Sequence, residues 1–202
     1  MRLFVLSRHA ESVLNHENRI NGDPTVPAPL TDRGRDEAAL LGLQIRSIPL
    51  EVCLHTRFGR TLETVRIALE GRDVPIAEEE LFDDVRVGEL EGWTLEDYRA
   101  WKREHVRADR FPGGESLDEA AHRYAEGFRR LLGGAWECVL VVCHEIPIRY
   151  ALNAVGGSDS LDAPVHAIPN AALFLFDENA LAAAAAGIDR LARGASETRS
   201  PR

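Results

Sequence analysis

The chain has 202 residues, 45% of them hydrophobic, with 24 basic and 33 acidic side chains and a formal net charge of −9. That size and apolar content suffice for one domain around a buried core, and the acidic balance argues against nucleic acid or anionic lipid as partners. No apolar stretch approaches the ~20 residues needed to cross a bilayer, and Met1 leads straight into a strand with no room for a signal peptide, so a cytoplasmic location is expected.

The apolar run Leu3-Phe4-Val5-Leu6 predicts a first strand near residues 2–7, ending on Ser7-Arg8-His9-Ala10-Glu11-Ser12. A histidine at a strand end beside a permanent cation suits phosphate chemistry. Neutral imidazole attacks phosphorus, and the planar guanidinium of Arg8 clamps phosphate oxygens. The polar stretch that follows holds Asn15, Asn18, Asn21 and Gly22. Neutral amides there can donate to phosphate oxygens without adding charge, although Asn21 and Gly22 also fit an ordinary turn.

Thr31 is a good N-cap for a helix near 32–47. A short strand near 51–54 precedes a helix near 57–70 that carries Arg57 and Arg60, of which Arg60 is the preferred phosphate ligand. Helices follow near 94–107 and 116–132, the second opened by a Ser116/Glu119 capping box. The β-branched run Val139-Leu140-Val141-Val142 predicts a buried parallel strand near 137–143 that delivers His144 to its carboxyl end. A helix near 146–155 would leave first-turn amides beside His144, an arrangement that suits an anion.

A last strand is expected near 171–177, closing a catalytic domain of residues 1–178. The remainder, 179–202, reads as a short Ala-rich helix around Ala182 to Ala186 and a frayed polar tail. Strands alternating with helices give a three-layer α/β/α sandwich with a mostly parallel central sheet. Ligands of such sheets bind outside the carboxyl ends of the strands, where His9 and His144 would meet. Cys53, Cys138 and Cys143, odd in number and in apolar surroundings, read as reduced core thiols. The seven histidines lack metal-ligand spacing, so neither a metal nor another cofactor is expected.

In combination, six segments in order resemble the histidine phosphatase superfamily, also called phosphoglycerate mutase-like. Arg8-His9-Ala10-Glu11 is similar to its Arg-His-Gly-Glu signature, and Leu30-Thr31-Asp32-Arg33-Gly34 with Glu37-Ala38 to its Leu-Thr-x-x-Gly helix start. Thr56 to Thr64 resembles the Ser/Thr-x-x-x-Arg-x-x-x-Thr segment, and Asp84 to Gly92 the acidic segment ending in Gly-x-x-Glu-Gly. Pro112-Gly113-Gly114-Glu115-Ser116 and Val142-Cys143-His144 complete the set.

The resemblance implies that His9 is the phosphorylated nucleophile, with Arg8, Arg60 and His144 binding the phosphoryl group. It implies that Asp84, counted back from Gly88, is the general acid and then the base, with its neighbour Asp83 as the fallback. The family's asparagines after the nucleophile lie near the phosphate or the organic part of the substrate, and Asn15 ranks above Asn21 and Gly22. Two positions depart from the pattern. Ala10 replaces glycine, so its methyl group is expected to crowd the phosphate. Glu145 replaces the glycine after the second histidine, where it would oppose phosphate, recognise a cationic or hydroxyl-bearing substrate, or turn to solvent.

Cofactor-dependent phosphoglycerate mutases of the family carry a longer insertion between the acidic segment and the second histidine. Here only about twenty residues separate Gly92 from Pro112. The shortness favours a metal-independent phosphatase acting on a small phosphorylated metabolite; a mutase and an inactive phospho-ligand-binding module are the alternatives. The sequence leaves the substrate and the oligomeric state open, a homodimer included.

Overall fold

The computed structural model describes residues 1–197 of the chain. Its centre is a five-stranded sheet made of β1 (Leu3–Arg8), β2 (Val52–His55), β3 (Ile76–Glu78), β4 (Cys138–Cys143) and β5 (Leu173–Asp177). The strands lie in the order β3-β2-β4-β1-β5. All neighbours are parallel except β5, which runs antiparallel to β1.

Side chains alternate across this sheet, as pleated strands require, and so divide the core in two. Phe4, Leu6, Val52, Leu54, Val139 and Val141 face one layer, built on α5 (Leu117–Gly133), α6 (Glu145–Val155) and α7 (Glu178–Glu197). Val5, Cys53, Leu140 and Val142 face the other, built on α2 (Asp32–Gln44) and α3 (Gly59–Ala68). The three-layer sandwich follows, because burial on both faces is what makes the inner strands continuously apolar.

Start signals in the sequence act as anticipated. Thr31 Oγ1 accepts from Gly34 N at 3.0 Å, and Ser116 and Glu119 close a reciprocal capping box. The four-residue helix α1 (Val13–His16) after β1 and the strand β3 are additions. β3 is exposed throughout and forms by pairing with β2, so it carries no apolar pattern for a reader to find.

The end of the chain departs most from expectation. In place of a short helix and a tail, one helix runs from Glu178 to Glu197 and packs on α5 and α6. Leu181, Ala184, Ala185, Ile188 and Ala192 are buried in the core, so up to Ala192 the segment set apart as 179–202 is integral to the fold. The rest of the expected tail, 198–202, lies outside the described residues.

Helix α4 (Leu95–Glu104) stands apart, with none of its residues fully buried. It belongs to an excursion whose two ends touch. Glu89 N donates to Pro112 O at 2.8 Å, and a Cβ at Gly88, where φ is +54°, would meet that same oxygen at 2.1 Å. Only glycine permits both this backbone conformation and this approach.

Candidate active site

The parallel pairing of β1 with β4 puts Arg8 opposite Cys143, so the residues that follow, His9 and His144, emerge side by side. Their ring centroids are 5.3 Å apart. His9 is 2% exposed, His144 0%, and Arg60, from the first turn of α3, 3%. The main chain of His9 is fixed from both sides: its N–H donates to Cys143 O at 2.9 Å, and its carbonyl accepts from Asn170 Nδ2 at 2.9 Å.

Hydrogen bonds set the tautomer of His9. Its Nδ1 lies 2.7 Å from Ala10 O, an acceptor only, and its Nε2 lies 3.0 Å from Arg60 Nε, a donor only. Nδ1 therefore carries the proton and Nε2 presents a lone pair. Burial, then Arg60 and Arg8, holds the imidazole pKa well below its ordinary value of 6.5, so it is neutral and nucleophilic at neutral pH.

Arg60 joins the whole centre. Besides His9 it reaches Asn21 Oδ1 through Nη1, and through Nη2 it reaches Asn21 O at 3.2 Å, Asp84 Oδ2 at 3.2 Å and His144 Nδ1 at 3.1 Å. Its guanidinium stacks on the Phe58 ring with Cζ 4.3 Å from the centroid. Burial lowers its pKa to about 10, which still leaves it a cation at neutral pH. His144 accepts from Arg60 at Nδ1, so its Nε2–H donates to Thr56 Oγ1 at 2.9 Å, and Thr56 passes on to Thr61 Oγ1 at 3.0 Å. Burial, followed by Arg60, keeps this ring neutral too.

Of the two adjacent aspartates, only Asp84 enters the cluster, with Oδ2 also 3.4 Å from His144 Nδ1. Its carboxyl is 25% exposed at the cleft, and burial, against the pull of Arg60, raises its pKa. Asp83 is committed elsewhere, taking 2.6 Å contacts from the Arg57 guanidinium and a 3.0 Å bond from Arg57 N. Arg123 of α5 donates to the main-chain oxygens of Asp83 and Asp84 at 2.9 and 3.2 Å, which locks the acidic segment in place.

Arg8 reaches Ile168 O and pairs with Glu145 Oε2 at 3.0 Å. Glu145 thus turns inward. The cluster opens into a cleft whose wall includes Asn15, Ile20, Val87, Leu95, Tyr98 and Lys102. Asn15 lines the cleft while its Oδ1 accepts from Ser12 N and Ser12 Oγ, closing the capping box of α1.

Asn21 and Gly22 line the same cleft and are also held from behind. Asn21 Nδ2 donates to Glu91 Oε1 and to Asp23 O, and Gly22 N donates to Glu91 Oε2 at 2.7 Å, so both belong to the brace behind Arg60. The expected crowding by Ala10 does not occur. Its methyl group is buried in the core layer of α2 and α3, and its N–H donates to Thr64 Oγ1 at 3.1 Å.

Thr56, Thr64, Glu91, Arg123, Arg149 and the Ile168 carbonyl are the participants that residue-type reasoning passes over. Only Glu91 and the two threonines lie in segments with a signature. Cys143 is fully buried, and burial raises its thiol pKa. Among the described residues, no group of three or more His, Cys, Asp or Glu side chains is disposed to hold a metal, and no helix is long and apolar enough to cross a membrane.

Comparison with known proteins agrees with this geometry. The chain is 35% identical over 167 residues to 2,3-bisphosphoglycerate-dependent phosphoglycerate mutase 2 of Gloeobacter violaceus, covering 75% of this chain and 74% of that one. It is 29% identical to phosphoserine phosphatase 1 of Hydrogenobacter thermophilus, covering 77% of each. Among solved structures, Bacillus stearothermophilus YhfR superposes with a TM-score of 0.77 at 25% identity, covering 88% of this chain and 91% of that one. The α-ribazole phosphatase of Shigella flexneri superposes at 0.75 and 21% identity, covering 87% and 90%, which speaks for the fold. The family model for histidine phosphatases matches residues 4–181, and the chain belongs to the histidine phosphatase superfamily, branch 1.

Proposed function

We propose that this protein is a metal-independent phosphatase that hydrolyses small-molecule phosphomonoesters in the cytoplasm through a phosphohistidine on His9. The observation that carries the proposal is the polarity of the His9 ring, with Nδ1–H on Ala10 O and the Nε2 lone pair beside Arg60. In the first step Nε2 attacks phosphorus, the ester P–O bond breaks, and Asp84 gives its proton to the leaving oxygen. In the second, Asp84 takes a proton from water, the water oxygen attacks phosphorus, the P–N bond breaks and orthophosphate leaves. Arg8 and Arg60 hold the phosphoryl oxygens, and the neutral His144, whose Nδ1 accepts from Arg60, positions that guanidinium before the reaction begins. Asp84 suits both steps, since a raised pKa favours the protonated carboxyl needed for the first and makes the carboxylate a better base for the second.

A second reading, a phosphoglycerate mutase, is favoured by one observation at the mouth. Lys102 is largely buried beside the cleft, yet among the described residues it makes no ion pair, its ammonium lying 5.7 Å from the Tyr98 ring centroid. An anionic group on the substrate would complete it, as a carboxylate does in a phosphoglycerate. Both readings are tested by orthophosphate release from a panel of phosphomonoesters, phosphoserine and 3-phosphoglycerate included, with EDTA present and beside His9→Ala protein. Release that persists in EDTA and vanishes in the variant supports the phosphatase. Isomerisation of 3-phosphoglycerate on adding bisphosphoglycerate, without release, identifies the mutase, and silence in both overturns both.

A further inference from the structure

Glu145 is the first residue of α6, directly after His144, and its carboxylate is shared between two arginines. Oε2 lies 3.0 Å from Arg8 Nη1 and Oε1 lies 3.4 Å from Arg149 Nη1. Both arginines are anchored from behind. Arg8 holds Ile168 O, while Arg149 holds His166 O at 3.1 Å and Asp162 Oδ1 at 3.2 Å. Yet each keeps a buried Nε–H with no hydrogen-bond partner, and buried donors of this kind are rarely left unmet. One side chain on a flexible stem therefore stands between two fixed cations, each with a donor to spare.

We infer that Glu145 is an internal counter-anion to Arg8 which moves over to Arg149 when a phosphoryl group arrives, and that it thereby sets how tightly the site holds phosphate. This rests on the phosphoryl site proposed above. A phosphate oxygen is a stronger partner for a guanidinium fork than a shared carboxylate. When phosphate takes Arg8, Glu145 keeps an ion pair by closing on Arg149, so the exchange leaves no carboxylate stranded in the cleft. Its charge continues to repel the phosphate, which weakens retention of product. Without Glu145, Arg8 would give its whole charge to the phosphate.

Orthophosphate binding to the full chain, measured by isothermal titration calorimetry at fixed ionic strength, tests this without requiring turnover. Glu145→Gln keeps the size of a partly exposed side chain and is expected to bind orthophosphate on the order of tenfold more tightly, from the loss of one negative charge near the ion. Arg149→Met traps the carboxylate on Arg8 and is expected to weaken binding, and adding Glu145→Gln to it restores the affinity. That rescue is one a defect in folding would not show. Equal or weaker binding by Glu145→Gln, or strictly additive effects of the two substitutions, overturns the inference and leaves the phosphoryl site standing. No orthophosphate binding by the unaltered protein overturns the phosphoryl site itself and this inference with it.

Discussion

At the floor of the cleft, all three guanidinium nitrogens of Arg60 are engaged, by His9, Asn21, Asp84 and His144. At the mouth, α4 buries none of its residues completely and presents Lys102, which among the described residues makes no ion pair. The floor hangs from the carboxyl ends of β1 and β4, strands covered on both faces, and from the buried face of α3. The mouth is a helix leaning on the domain. Preorganised polar groups need rigid support to be useful in a transition state, whereas selection among substrates needs only contact area and charge. The difference separates a rigid floor fixed by the sheet from a wall to which the excursion between residues 89 and 112 contributes Leu95, Tyr98 and Lys102.

The largest expected effect tests the floor. His9→Ala removes the nucleophile and should lower orthophosphate release by at least about 10³-fold, measured by steady-state release assays. Asp84→Asn comes next, with kcat reduced about 10²-fold to 10³-fold for alkyl phosphates and far less for p-nitrophenyl phosphate, whose leaving group needs no proton. Equal losses on both substrates would deny Asp84 the role of acid.

Smaller effects separate the brace from the chemistry. Asn21→Ala leaves Arg60 charged but unheld at Nη1, and should cost about tenfold in kcat/KM. Lys102→Met should act at the mouth alone, raising KM about tenfold for esters with a second anionic group and moving kcat much less. A loss of kcat equal to that of Asn21→Ala would erase the division between floor and mouth.

The pH dependence sharpens the same division. Attack needs neutral His9 and protonated Asp84; burial lowers the pKa of the first and raises that of the second. The rate should therefore fall as pH rises through the Asp84 pKa, and Asp84→Asn should abolish that limb. In folded protein the ring resonances of His9 and His144 should show no titration near pH 6.5, the value an exposed histidine would give. Their contribution to stability has a definite sign. Below 6.5 the unfolded chain takes up protons that the folded rings refuse, so they remove stability as pH falls toward their depressed folded values. Asp84 works oppositely, its raised pKa removing stability as pH rises from 3.8.

Much of this was readable from residue types. The strands β1, β2 and β4 announce themselves as apolar runs, and His9 and His144 lie where such strands must end. Asp84 could be told from Asp83 only by family spacing, since the two differ in their partners and not in kind. Arg57, 26 positions earlier in the chain, is what holds Asp83 away from the cluster. Thr56 and the Ile168 carbonyl contribute a hydroxyl and a backbone oxygen, groups present everywhere and diagnostic nowhere. The α7 helix did carry its signal: Leu181, Ala184, Ala185, Ile188 and Ala192 fall on one helical face. Small alanines hid it, because they add little hydrophobic contrast to a stretch that ends in charges.

The contact between Glu89 and Pro112 bears on how such a protein changes its diet. The excursion leaves and re-enters the domain at this hydrogen bond and is tied on its way to Asn18 and Ile20 through Gly92, Trp93 and Leu95, so an insertion that spares those anchors lengthens a closed loop, and each doubling of a flexible loop costs only about 0.6 kcal/mol. Evolution, or an engineer, can vary the exposed face of α4 as a cassette, whereas Leu90 and Phe111 near the excursion's ends are core residues and Glu91 holds the brace behind Arg60. Asp84 lies outside the excursion, its main-chain oxygen gripped by Arg123, and would keep its place while a new recognition surface is tried.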